Sequence, residues 1–222
     1  MSAPIALAIF DMAGTTVRDG GTVEDSFVDA MHEVGAEAGD TELGYVRETM
    51  GMSKIVVFRH LLGGDEARAA QANAAFESAY ARRLAAGEAQ PIPGAEELFA
   101  DLRMAGVRVC LTTGFSAATQ EALIDALGWR NAVDLWLAPS ADRRGRPHPD
   151  LVFEAVMQLD VDDVHAVAIA GDTANDLLAG WRSGASIVAG VLTGAHGRAQ
   201  LESAPHTHIL DSVVDLAPLL LP

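Results

Sequence analysis

The chain contains a single lysine, Lys54; its other fourteen permanently basic residues are all arginine, in a sequence of 222. Cysteine is equally scarce. Cys110 stands alone, which excludes an internal disulfide, and its place in the apolar run Val107 to Leu111 reads as core packing. Long apolar runs are missing as well: Ile5 to Phe10 and Ile187 to Leu192 fall far short of the roughly 20 residues that cross a bilayer. No membrane span is expected. Met1 to Phe10 lacks a basic flank and runs directly into Asp11, unlike a secretory signal, so a cytoplasmic location is the expectation. Aromatic residues are only 5% of the chain, and Trp129, Trp136 and Trp181 are assigned to the core.

What the chain has in excess is acid. Asp and Glu number 31 against 15 Lys and Arg, a formal net charge of -16, which repels nucleic acid and anionic membrane surfaces. Neither is an expected partner. The same charge repels phosphate, so a protein acting on phosphorylated molecules must supply local positive charge through a metal or chosen basic residues.

Apolar runs suited to buried strands occur at Ile5 to Phe10, Val107 to Thr112, Leu135 to Ala138, Val164 to Ala170 and Ile187 to Val191. Between and after them, Ala95 to Ala105, Ala117 to Leu127, Leu151 to Leu159 and Asp176 to Ser183 show apolar residues at helical spacing. The alternation predicts an α/β fold, a Rossmann-like parallel sheet covered on both faces. It breaks once. Residues 18–90 read as helical throughout, over Thr22 to Val34, Gly44 to Met50, Lys54 to Leu62 and Asp65 to Ala86, opened by Gly20-Gly21 and closed by Pro91-Ile92-Pro93-Gly94. The expected organisation is a core of residues 1–17 and 91–222 with a small inserted all-helical cap, hinged to admit substrate and exclude water.

In an open α/β sheet, ligands bind beyond the carboxyl ends of the strands. The first strand ends in Asp11-Met12-Ala13-Gly14-Thr15-Thr16, a carboxylate able to attack phosphorus, followed by a turn able to offer backbone N–H groups. Taken alone, an aspartate after a strand is more often a turn or helix-cap residue. The second core strand ends in Thr112-Thr113-Gly114, hydroxyls and open backbone suited to phosphate oxygens, or simply a capped turn. Arg146, in Gly145-Arg146-Pro147-His148, precedes a helix and can pair with phosphate or with Asp11. At the fourth strand, Gly171-Asp172-Thr173-Ala174-Asn175-Asp176 sets two carboxylates one helical turn apart, a donor pair suited to magnesium or to helix capping.

These four signals in this order resemble the haloacid dehalogenase superfamily of phosphohydrolases, over essentially the whole chain. The resemblance implies that Asp11 is the nucleophile and that Mg2+ is held by Asp11, the Ala13 carbonyl, Asp172 and Asp176. It places phosphate against Thr112 or Thr113, Gly114 and Arg146. The chain departs from the common pattern at Ala13, where most phosphatases of the superfamily carry an aspartate that protonates the leaving oxygen. Alanine is found there in the phosphonatase-like branch, typified by phosphonoacetaldehyde hydrolase, where a cap lysine condenses with the substrate aldehyde and carbon leaves as an enamine. Met50-Gly51-Met52-Ser53-Lys54 resembles the Met-Gly-x-x-Lys segment of that branch, which implies catalysis by Lys54 and substrate contact by Met50.

The solitary lysine agrees, because arginine stays protonated and delocalised and forms no imine. Against it, the branch's histidine three residues after the lysine is Val57 here, a tyrosine after the second-motif glycine is Phe115, and no cysteine lies near Gly20-Gly21. Three functions follow: phosphonatase-like carbon–phosphorus cleavage, a phosphomonoesterase of the phosphoglycolate phosphatase type, or a phosphate-binding module that has lost catalysis. The partner is a small phosphonate or phosphate, and a homodimer through the cap fits the resemblance. His60 is expected to face away from Lys54 on a straight helix, His206 and His208 to be surface residues, and His32, His165 and His196 to lack partners.

Overall fold

The structure is a computed structural model, and it describes residues 4–221. Six parallel strands, β1 (Leu7–Asp11), β2 (Arg108–Thr112), β3 (Leu135–Leu137), β4 (Val167–Gly171), β5 (Ile187–Val191) and β6 (His208–Leu210), form one sheet in the order β3-β2-β1-β4-β5-β6. This is the doubly wound order of dinucleotide-binding folds. All five residues of β1 and of β4 are buried, which explains why these strands read as unbroken apolar runs instead of alternating ones. Successive residues of β1 enter opposite faces: Ala8 and Phe10 join one apolar cluster, Leu7 and Ile9 another with Cys110 and Leu151. The α/β parallel-sheet expectation is met.

Four helices, α1 (Thr22–Glu33), α2 (Asp40–Glu48), α3 (Lys54–Leu61) and α4 (Glu66–Ala85), fill the chain between β1 and the next helix, α5 (Ala95–Met104). They pack around aromatic rings, with Phe27 4.7 Å from Phe58 and 5.0 Å from Phe76 between centroids. The segments leading in and out lie side by side, joined by bonds from Arg18 N to Gln90 O and from Ile92 N to Thr16 O, each 2.8 Å. The remaining helices are α6 (Ala117–Leu127), α7 (Asp150–Gln158), α8 (Ala174–Ser183), α9 (Arg198–Glu202) and α10 (Ala217–Leu220).

Several boundaries differ from the sequence reading for local reasons. The fourth strand begins at Val167, because the Asp163 side chain accepts from His165 N at 2.8 Å and winds 164–166 into a 3-10 turn. Helix α8 begins at Ala174, two residues ahead of Asp176, because the Thr173 hydroxyl caps the Asp176 N–H. Helix α2 starts at Asp40 and not Gly44; Glu42 reaches back to the Gly39 N–H at 3.1 Å. Trp181 is 55% exposed and is no core residue, because the buried face of α8 runs through Leu177, Gly180 and Ser183 and leaves position 181 outside. No described helix is long and apolar enough to cross a membrane.

Candidate active site

Chain order reverses at β1: β2 and β3 build outward on one side, β4 to β6 on the other. A crevice opens at such a switch point beyond the carboxyl ends of the strands, and Asp11 terminates β1 there. Its strand neighbour is Thr112, opposite it in register. Across the crevice stand Asp172, just past β4, and Asp176 in the first turn of α8. The three buried carboxylates bring oxygens within 4.8 Å of one another.

Arg146 is buried among them. Its Nη1 is 2.6 Å from Asp11 Oδ1 and also pairs with Asp176 Oδ1, while its Nε is buried without a hydrogen-bond partner among the described residues. Asp172 accepts from Thr15 Oγ1 at 3.2 Å and from Ala195 N at 2.6 Å; Asp176 accepts from Thr173 N at 3.1 Å. Burial, and next the charge of Asp11, push the Asp172 carboxyl up to about 7. Gathered carboxylates in a buried site favour a bound cation, and an all-oxygen donor set suits a hard divalent one. Asp11, Asp172 and Asp176 fit that role, and Ala13 borders the same space.

The turn after Asp11 corrects one expectation. The N–H groups of Thr15, Thr16 and Val17 all bond to Met12 O, and that of Gly14 bonds to Val17 O at 2.7 Å, so these four serve the turn and not a phosphate. Gly14 is required here: its φ is 86°, and a Cβ would stand 2.5 Å from Asp172 Oδ2. Thr113 and Gly114 line the cavity with Asp11 and Arg146, whereas Thr112 lies at the end of β2 outside that lining. The Thr113 hydroxyl accepts from Phe115 N at 3.1 Å, which sets the turn's direction.

The helical segment closes over this edge. Met50 O accepts from Asn175 Nδ2 at 2.9 Å, and Lys54 N donates to Gly114 O at 3.2 Å. Lys54, the first residue of α3, is 6% exposed, which removes the solvated-surface reading of its solitude. Its Nζ lies 5.5 Å from the Phe27 ring centre and 5.3 Å from that of Phe115. Burial, followed by the Arg146 charge, lowers the amine to about 8 against the opposing pull of Asp11, Asp19 and Asp172. Val57, where the phosphonatase-like pattern has histidine, is 1% exposed in the apolar packing of the helices. His60 is exposed and stacks on Tyr45, 4.0 Å between centroids, consistent with its facing away from the site.

Sequence reasoning missed three residues. Asp19 lines the cavity beside Lys54, accepts from Val23 N at 3.2 Å, and has its carboxyl pushed up by burial. An aspartate before Gly20-Gly21 signals only a turn, which hid it. Tyr80, on α4, is buried 4.7 Å from the Phe115 ring, with its hydroxyl pushed up by burial and by Asp19 and Asp11. His196, expected to lack partners, is buried; its Nδ1 accepts from Ala174 N at 3.0 Å and its Nε2 lies 3.1 Å from Arg47 O. A backbone N–H can only donate and a carbonyl only accept, so the ring carries its proton on Nε2 and ties α2 to the start of α8.

Residues 5–184 match the family model of haloacid dehalogenase-like hydrolases. Phosphonoacetaldehyde hydrolase of Bordetella pertussis is 30% identical, with 96% of this chain and 90% of that protein covered. The probable phosphatase IndB of Dickeya dadantii is 28% identical over 93% of this chain and 89% of its own. Among solved structures, a phosphonoacetaldehyde hydrolase-like protein from Oleispira antarctica superposes with a TM-score of 0.85 at 24% identity, covering 99% of this chain and 92% of that one. The match over most of the chain, together with an aspartate-bearing strand end facing two further acids at the switch point of the sheet, means that this chain belongs to the haloacid dehalogenase-like hydrolases.

Proposed function

We propose that this hydrolase cleaves the carbon–phosphorus bond of a small carbonyl phosphonate, of which phosphonoacetaldehyde is the simplest, using Asp11 as nucleophile and Lys54 as an imine-forming amine. The observation that carries the reading is the placement of the chain's one lysine, buried and shifted to about 8, in the cavity that holds Asp11 and Arg146. The resemblance to phosphonoacetaldehyde hydrolases along nearly the whole chain supports it. The proposal includes the division into a core (residues 1–17 and 91–222) and a cap (18–90), with the paired segments at 16–18 and 90–92 as hinge.

Neutral Lys54 adds to the substrate carbonyl and loses water, giving a protonated imine. An Asp11 oxygen then attacks phosphorus. The carbon–phosphorus electron pair moves into the imine and neutralises its nitrogen, so carbon departs as an enamine and no leaving oxygen needs a proton, which suits Ala13. Arg146 and Thr113 hold phosphoryl oxygens as charge moves between them. Water hydrolyses the aspartyl-phosphate, restoring Asp11; the enamine takes a proton on carbon, and water releases the aldehyde and Lys54. Asp11, Asp172, Asp176 and the Ala13 carbonyl would hold Mg2+, which supplies positive charge against the phosphoryl oxygens and the nucleophile.

A phosphomonoesterase is the second reading, favoured by the likeness to IndB. Lys54 then binds substrate as a cation, and a leaving oxygen needs an acid other than Ala13; Asp19, whose carboxyl burial pushes up, lines the same cavity. Borohydride separates the two. With magnesium and phosphonoacetaldehyde, reduction should leave an ethyl adduct on Lys54, found by peptide mass spectrometry, and Lys54→Arg should abolish both adduct and phosphate release. Absence of an adduct, with ester hydrolysis intact in Lys54→Arg, overturns the imine and leaves the phosphatase.

A further inference from the structure

The cavity at Asp11 is small, about 20 Å³. Lys54, Gly114, Phe115 and Arg146 line it and also line a second cavity of about 510 Å³, between α3, α4 and the loop 139–148. That outer space is large enough for a ligand group in its own right. Its wall carries Lys54, Arg59, Arg143, Arg144 and Arg146 with His148, and no Asp or Glu. A chain with twice as many acids as bases has set five cations, without an acid, around one opening beside its phosphorus site.

These cations are not equally engaged. Arg59 makes two bonds to Glu66, at 2.6 and 2.9 Å, and Arg144 two to Asp150, at 2.9 and 2.8 Å, with both acids outside the wall. Arg143 is looser: its Nε is 3.5 Å from Ser140 Oγ, and its nearest carboxylate, Glu154, is 3.7 Å away. Arg143 thus retains guanidinium donors without a close carboxylate acceptor on the wall of the opening.

We propose that this outer cavity is a second anion subsite, that the substrate is therefore an organophosphorus compound carrying a carboxylate or second phosphoryl group on its leaving portion, and that Arg143 reads that group. The fork of a guanidinium matches either anion. The inference rests on the inner site being the phosphorus site, a feature common to the phosphonatase and phosphatase readings. Phosphonoacetaldehyde, with no second anion, then fills only the inner site and serves as a minimal substrate.

Calorimetric titration of the full chain with magnesium, at fixed ionic strength, compares propylphosphonate, 3-phosphonopropionate and ethylenediphosphonate. We expect one of the doubly acidic compounds to bind at least about tenfold tighter than propylphosphonate, the better one identifying the second group. Arg143→Gln should bring that ratio toward one, while Arg103→Gln, remote from the cavity, should keep it and so exclude a general effect of net charge. Equal affinities for all three compounds, or a ratio that survives Arg143→Gln, would overturn the subsite and leave the phosphorus site standing. Failure of every compound to bind overturns both.

Discussion

The carboxyl edge of the sheet and the helical segment above it contribute opposite kinds of chemistry to one cavity. On the sheet side every charged group is tied: Asp172 and Asp176 each accept from neighbouring backbone and hydroxyl groups, and Arg146 bridges Asp11 to Asp176. On the helical side Lys54 Nζ makes no hydrogen bond or ion pair among the described residues and faces the rings of Phe27 and Phe115. A tied charge is held in place and reorganises little when a substrate arrives. An untied amine in an apolar pocket loses its proton easily and becomes a nucleophile. In the proposed reaction the sheet side supplies Asp11 within a fixed electrostatic frame, and the helical side supplies the amine.

The largest test of this contrast is replacement of Asp11, the proposed nucleophile. Asp11→Asn should lower phosphate release by at least about 10⁴-fold, the scale on which single catalytic groups act, while circular dichroism stays native. Retained turnover would move the chemistry away from the sheet edge. On the same side, Asp172→Asn should weaken magnesium binding by more than about 100-fold in a competition titration; undiminished affinity would remove the acid cluster as the metal site.

On the helical side the prediction is a pH profile. Because burial lowers Lys54 from 10.5 to about 8, its neutral fraction rises with pH and levels off above about 8. The rate of adduct formation should follow the same curve, gaining about tenfold between pH 6 and pH 7. Phe115→Ala admits water to the amine, so the midpoint should move upward by about one pH unit. A midpoint unmoved by that change would show that the ring does not set the amine's acidity. The smallest effect concerns the seam between the two sides, where Asn175 Nδ2 donates to Met50 O. Asn175→Ala should cost about 1 kcal/mol of stability by denaturant unfolding and raise KM more than it changes kcat.

Much of the sheet side was legible in the chain. Buried parallel strands are continuous apolar runs, and a polar residue that ends such a run stands at the edge where ligands bind, so Asp11, Arg146, Asp172 and Asp176 could be named in advance, whereas the choice between Thr112 and Thr113 stayed open. The turn at Gly14 was read correctly as a turn but not in its bonding, because the partner of each N–H depends on dihedrals that composition does not reveal. The helical side was legible only as helices. Asp19, Tyr80 and His196 gave no local signal, since each acquires its surroundings from segments far along the chain.

The solitude of Lys54 was visible in the amino-acid sequence, and with it the contrast between lysine's reactive amine and arginine's inert charge. Its burial, its aromatic neighbours and its lowered pKa were decided by tertiary structure, because they depend on Phe27 and Phe115 arriving from different elements. The same holds for the acid cluster, in which Asp11 and Asp176 are 165 positions apart in the chain. Local sequence determines which residues end the strands; the parallel register of β1 beside β4 decides which of those ends meet.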